Sequence, residues 1–154
     1  MNHDIRAPQH GGLLLEALIG ILLFSIGILA VVALQGSATK AVTEAKFRSD
    51  ASFLADQLVG QIWANRANAG TYAYVGGTAP PVLANWIGLV NARLPNSIVY
   101  PPSVTVTPTA YAGPPTYTAN QVTISLFWQL PDELNAVPRP PAHSLTFSTS
   151  IPCC

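Results

Sequence analysis

The chain has very little charge. Seven basic and seven acidic side chains make up 9% of the 154 residues, and the formal net charge is zero. An ordinary soluble domain carries about 25% charged residues. Nucleic-acid binding depends on clustered lysine and arginine side chains that contact phosphates, and the sequence contains no basic cluster. The composition therefore argues against direct contact with nucleic acid.

Residues that perform catalysis or bind metals are also scarce. The chain has three histidines and two cysteines, with no glycine-rich phosphate loop and no Cys/His spacing typical of a metal site. Asp132 and Glu133 are adjacent after Pro131, which favours a solvated turn over an acid–base pair. His143 lies between a Pro-Pro turn and a predicted strand. We therefore expect no catalytic residue, no cofactor and no metal.

The most pronounced feature is an apolar run from Gly11 to Leu34 in which Glu16 is the single charged residue. A helix needs about 20 apolar residues to cross a hydrocarbon core of roughly 30 Å. The backbone there must be helical because lipid offers no hydrogen-bond partners. Residues 12–34 meet that length. We predict a single membrane-spanning helix, preceded by a short polar leader at residues 1–11.

Glu16 has two interpretations. A charge at mid-bilayer costs about 2.5–3.5 kcal/mol, and less near the membrane edge. In the first turns of a helix, a carboxylate complements the helix dipole by roughly 0.3–1 kcal/mol, which is a purely structural reason for its presence. The functional alternative is that Glu16 pairs with a positive partner. The natural candidate is an α-amino group created by cleavage of the chain just upstream.

These residues resemble a type IV prepilin signal. Residues 14–19 (Leu-Leu-Glu-Ala-Leu-Ile) and 24–29 (Phe-Ser-Ile-Gly-Ile-Leu) are most similar to the minor pilin PilV (type IV pilus modification protein) family. The resemblance implies leader cleavage after Gly11, N-methylation of the new terminus at Gly12, and an assembly role for Glu16 as the fifth mature residue. Gly12 departs from the apolar residue usual in the family, so cleavage between Gly12 and Leu13 stays open.

An ordinary secretory signal is the alternative explanation of the first residues. Gly36-Ser37-Ala38 offers a small-x-small cleavage site after the apolar run. However, the run is longer than the roughly 7–15 residues of a signal-peptide core. Glu16 would also be a poor choice inside such a core. We therefore favour the prepilin interpretation.

The helix is expected to continue through residues 35–69 as an amphipathic half that packs on a domain and ends near Gly70. Residues 35–68 contain no proline, and apolar side chains recur at the 3.6-residue period. The predicted apolar stripe consists of Phe47, Leu54, Leu58, Val59, Ile62 and Trp63. The charged side chains between them are Lys40, Glu44, Lys46, Arg48, Asp50 and Asp56. Lys40 and Glu44 have the spacing of an i,i+4 ion pair.

Residues 70–154 are predicted to form a C-terminal α+β domain. Helical spacing predicts a short helix at Val82–Leu94, closed by Pro95. Alternating residues predict three antiparallel meander strands, at Ser103–Thr107, Gln121–Leu130 and Ser144–Ile151. The proline-rich connections 108–119 and 131–142 are predicted as loops, and Trp86 and Trp128 as core residues. The expected fold is α+β and pilin-like, with the long helix packed on a small sheet.

Cys153 and Cys154 are adjacent at the end of the sequence. They cannot close the loop that a disulfide between separated cysteines closes in many pilins. A strained vicinal disulfide, a bridge to another chain and two reduced thiols all stay open. An oxidising periplasm favours a disulfide of some kind. Two soft ligands at a chain end make a weak metal site.

Three functions follow from this interpretation. By resemblance, the chain is a minor pilin that primes or modifies pilus assembly, with adhesion, twitching motility or DNA uptake downstream. The implied partners are other minor and major pilins, the prepilin peptidase, the inner-membrane assembly platform and the membrane. The implied location is the inner membrane with a periplasmic domain, and then the filament tip or base. A type II secretion pseudopilin shares the same signal, and a single-span anchored periplasmic enzyme or binding module is the third possibility.

Overall fold

The computed structural model describes residues 10–111 and 117–153. Most of the predicted leader, residues 1–9, and Cys154 lie outside the described residues. The elements are α1 (His10–Ala64), a 3-10 helix (Arg66–Tyr72), α2 (Ala84–Arg93), β1 (Ser103–Tyr111), β2 (Tyr117–Trp128) and β3 (His143–Pro152). They form two compact units, Met1–Val42 and Thr43–Cys154, and α1 contributes to both. A long N-terminal helix with a three-stranded antiparallel sheet confirms the α+β class.

The first unit is helical over its described residues, and residues 12–42 are all exposed. Its hydroxyl groups bond within the helix. The Ser25 Oγ donates to the Ile21 carbonyl at 2.7 Å, and the Ser37 Oγ donates to the Leu34 carbonyl at 2.9 Å. A helix that satisfies its own polar side chains exposes little unpaired hydrogen-bonding capacity to an apolar environment.

In the second unit, the core lies between α1 and the inner face of the sheet. The predicted helix stripe is confirmed at Leu54, Leu58 and Ile62, which are fully buried. Trp63 is 42% exposed, so the prediction that it widens the stripe is wrong. Small residues complete the stripe instead, at Ala51 and Ala55. The sheet residues of the core cluster are Val104, Val122, Ile124, Leu126, Trp128 and Ile151.

The helix α2 is attached to α1 by a buried tryptophan. The predicted helix at Val82–Leu94 is confirmed as Ala84–Arg93. Trp86 is 1% exposed, and its Nε1 donates to the Leu54 carbonyl at 2.8 Å. Both predicted core tryptophans, Trp86 and Trp128, are therefore confirmed as core residues.

The α-helix ends at Ala64, earlier than the predicted end at residue 69. The helix ends at two asparagines, a residue type of low helix propensity, and both have non-helical backbone angles. Asn65 has φ −121° and ψ 38°, and Asn68 has φ −116° and ψ 28°. The Asn68 Nδ2 donates to Asn65 Oδ1 at 2.9 Å. The 3-10 helix follows α1, and its last residue, Tyr72, is buried in the core.

The sheet is an antiparallel meander, as predicted, and its strand order is β1-β2-β3. β1 runs beyond the predicted end at Thr107 and passes through Pro108, where a loop was expected. The reason is that Pro108 lies on an edge strand. The Val104 N–H and C=O bond to Tyr74 rather than to β2. The backbone N–H and C=O groups of every second residue after Val104, including Pro108, point away from β2 in the same way. The N–H that proline lacks is therefore one that β2 does not use.

Candidate functional site

The exposed apolar surface of α1 is the candidate functional site. Its large apolar side chains between Leu13 and Leu34 are 48% to 73% exposed. The most apolar 18-residue window has a mean hydropathy of 2.9, with none of it buried. Soluble monomers rarely expose apolar patches of more than a few hundred Å². By length and composition this helix can cross a membrane, and lipid or other helices would cover it.

Glu16 lies on this surface as an exposed side chain within α1. The next charged residue along the helix is Lys40, roughly 36 Å further along the axis at about 1.5 Å per residue. No side chain among the described residues pairs with the Glu16 carboxylate. The carboxylate therefore depends on solvent or on another molecule for a partner.

The predicted processing residues Gly11 and Gly12 are helical and belong to α1. A Cβ added at Gly12, Gly20 or Gly27 would meet no atom within 4 Å. A shallow groove of about 660 Å³ includes Gly27 and is lined by Leu23, Phe24, Gly27, Ile28, Val31, Val32 and Gln35. Contacts within the described chain therefore do not explain these glycines.

Cys153 is partly buried and continues the pairing of β3 with β2. Its N–H donates to the Thr118 carbonyl at 2.8 Å. Cys154 lies outside the described residues, so the three predicted states of the cysteine pair stay predictions.

A polar cluster that the sequence did not predict joins helix, sheet and loop in the second unit. The His143 Nε2 lies 3.1 Å from both carboxylate oxygens of Glu133. Glu133 also accepts the Leu130 N–H at 3.1 Å. On the other side of the ring, the His143 Nδ1 lies 3.7 Å from Glu44 of α1. The ring stacks on Trp128 with centroids 5.9 Å apart.

This cluster corrects the prediction that Glu133 lies in a solvated turn, because its side chain is only 20% exposed. Glu133 lies in the connection between β2 and β3 and contacts His143, the first residue of β3. His143 pairs with Trp128, the last residue of β2. Among the described residues, no group of three or more His, Cys, Asp or Glu side chains can hold a metal ion. The cluster links β3, the connection between β2 and β3, and α1 within the second unit.

Loss of this contact has a measurable expected effect. Glu133→Ala and His143→Ala should each lower the free energy of unfolding by about 1–2 kcal/mol, because each leaves a partly buried polar partner unsatisfied. Glu44→Gln should change it by less than about 0.5 kcal/mol, because an exposed pair is weak. Urea unfolding of the single variants and of the Glu133/His143 double variant measures the coupling. Strictly additive effects would show that the two side chains do not interact.

The predicted site residues that the structure describes belong to both units. Gly11, Gly12 and Glu16 belong to the first unit, and Cys153 belongs to the second. Comparison with protein-family models, curated proteins and solved structures found no match to this chain. The function is therefore inferred from the residues and their geometry.

Proposed function

We propose that the chain is a membrane-anchored subunit of the type IV pilin class, most similar to minor pilins of the PilV family, which primes or modifies filament assembly. One observation carries the proposal. A single helix, α1, combines an exposed apolar half containing one carboxylate, Glu16, with a second half whose apolar stripe is buried under a sheet. The first half suits lipid or a bundle of like helices, and the second half holds a folded domain.

Apolar contact and charge pairing contribute differently to the proposed assembly. An apolar helix gains little hydrophobic energy on moving from lipid into a helix bundle, because both surroundings are apolar. The Glu16 carboxylate finds no positive partner in the hydrocarbon of the bilayer, whereas a neighbouring subunit can provide one. Two opposite charges 4 Å apart interact by about 4 kcal/mol at an effective dielectric of 20, against about 1 kcal/mol in water. Pairing with the terminal amine of a neighbouring subunit would therefore fix the axial register of assembly.

The folded domain does not depend on the apolar half of α1. Among the described residues, the core cluster and the side chains packed on it begin at Phe47. The domain can therefore remain folded while the first unit exchanges lipid for neighbouring helices. That independence is what an anchored assembly subunit requires.

The proposal predicts proteolytic processing. In cells with the prepilin peptidase, the mature chain should begin at Gly12, measured by intact mass and N-terminal sequencing. Gly11→Val should block that cleavage and Gly12→Val should not; the reverse result would place the cut between Gly12 and Leu13. A mature protein that retains residues 1–11 would contradict the proposal.

Two other functions appear as outcomes of further tests. Deletion of the gene, scored for piliation and for exoprotein secretion, separates a pilus subunit from a type II secretion pseudopilin. An anchored enzyme would need a pocket with converging catalytic groups. A cleft of about 420 Å³ lies beside β1, and its lining contains Tyr74, Thr78 and Thr105 but no carboxylate, amine or imidazole. That chemistry gives no support to acid–base catalysis there.

A further inference from the structure

The two edges of the sheet are unequal. An edge strand presents unpaired N–H and C=O groups to which another strand can add. On β1, the Val104 N–H donates to Tyr74 at 2.6 Å, and the Tyr74 N–H donates back at 2.8 Å. By alternation, Pro108 also faces outward, and it has no N–H to offer. The β1 edge is therefore interrupted by one backbone bridge and by one proline.

The β3 edge has neither interruption over most of its length. The Cys153 N–H donates to the Thr118 carbonyl of β2. The backbone N–H and C=O groups of the odd-numbered residues of β3 therefore point to β2, and those of the even-numbered residues point away from the sheet. The outward residues are Ser144, Thr146, Ser148 and Ser150, ending at Pro152. Among the described residues, no backbone group outside the sheet pairs with these four.

Natural edge strands usually carry a charge, a proline or a bulge that blocks further pairing. No charged side chain occurs between Ser144 and Cys154. The pairing with β2 runs unbroken from His143 to Pro152, without a bulge. The outward-facing residues before Pro152 all have small hydroxyl side chains. Over residues 144–150, no feature of this edge in the part of the chain that the structure describes blocks an incoming strand.

We propose that the β3 edge binds an extended strand of another protein by β-strand addition, a property beyond the proposed filament function. The backbone groups select an extended peptide, because only that presents N–H and C=O groups at the matching repeat. Leu145 and Phe147 are half-buried on the inner face, so apolar side chains at alternate positions of the added strand would cover them. Beside Leu145 and Phe147 a charged side chain of the added strand would lose water to apolar neighbours, so we expect apolar residues at those positions.

The size of the edge argues for a strand-like segment rather than a second folded copy. Seven residues span roughly 24 Å, and a sheet layer is roughly 10 Å thick, so the contact covers about 240 Å² per side. Stable protein pairs bury about 800 Å² per partner. Two folded copies held by this edge alone fall far short of that size, whereas peptide-recognition domains bind single added strands.

The test uses the full chain in detergent micelles and a fluorescent synthetic peptide of eight alternating valine and threonine residues, with two lysines beyond one end for solubility. Fluorescence anisotropy should show saturable binding. Ser148→Pro removes a central outward N–H and should weaken binding at least about tenfold, since one or two hydrogen bonds suffice for that. Ser148→Ala keeps the N–H and should bind like the wild type.

Two further controls locate the contact. Ala110→Pro changes an outward position on the β1 edge and should leave binding unchanged. A peptide N-methylated at every residue cannot donate any backbone hydrogen bond and should not bind. If Ser148→Pro fails to fold, amide exchange in the wild type remains decisive, because the peptide should slow exchange at Thr146 and Ser148.

Several results would overturn the proposal. These are no binding to the wild type, equal binding of the N-methylated peptide, or unchanged exchange at Thr146 and Ser148. Binding lost in Ala110→Pro and kept in Ser148→Pro would place the contact on the wrong edge. Sedimentation that shows self-association of the full chain, abolished by Ser148→Pro, would replace the proposed occupant with a second copy.

Discussion

Replacement of Trp86 by alanine is expected to lower the free energy of unfolding of the second unit by about 3–5 kcal/mol. Trp86 is 1% exposed, and its indole connects α2 to the Leu54 carbonyl of α1. The substitution leaves a cavity between the two helices and removes their buried hydrogen bond. Since a domain of this size is stable by roughly 5–15 kcal/mol, the variant should come close to unfolding under native conditions.

Urea unfolding of the full chain in mild detergent, followed by far-ultraviolet circular dichroism, measures this change. Trp86→Phe keeps most of the ring and should lose only about 1–2 kcal/mol, since the Leu54 carbonyl still has its helical partner. Trp63→Ala is the matched control, because Trp63 lies on the same helix as Leu54 but is 42% exposed. Equal destabilisation by Trp63→Ala and Trp86→Ala would show that burial does not determine the effect.

Much of the fold was predictable because both kinds of element have one buried face. The helical spacing of Leu54, Leu58 and Ile62 identified the face of α1 that the sheet covers. The alternation of Val122 and Ile124 identified the inner face of β2. A buried face produces a period in the sequence, so these elements could be predicted without knowledge of their partners.

The wrong predictions concern residues whose environment depends on their tertiary position and not on the local sequence pattern. Pro108 predicts a loop when read alone, and only the position of β1 at the edge makes a proline acceptable there. Trp63 fits the helical period, but the helix ends one residue later and the chain turns away at Asn65. In both cases tertiary position decided a question that local pattern left open.

The candidate site divides in the same way. Glu16 is visible in the sequence because a single charge interrupts a long apolar run. The contact between Glu133 and His143 was missed because the proline-rich connection has no period from which to infer its path. One signal could have found it: Glu133 follows the end of β2 by five residues, and His143 begins β3 and pairs with Trp128 at the end of β2. The ends of such a connection lie close together in an antiparallel pair.

Replacement of Glu16 by alanine is expected to leave membrane insertion intact and to reduce incorporation into filaments at least about tenfold. Insertion should become easier, because the substitution removes the one charge from the apolar run. Assembly should suffer, because loss of about 1.4 kcal/mol of pairing already reduces an equilibrium tenfold. Alkaline extraction of membranes measures insertion, and immunoblots of sheared filaments measure incorporation.

Matched variants separate a charge effect from a helix effect. Glu16→Gln keeps the shape and removes the charge, so it should behave like Glu16→Ala if pairing with an amine is the role. Ser25→Ala is the control on the same surface. The Ser25 hydroxyl donates within its own helix, so this variant should be incorporated normally. If Glu16→Gln and Glu16→Ala both assemble normally, pairing of the carboxylate with an amine does not drive assembly. The register of assembly would then have to come from contacts of the folded domain.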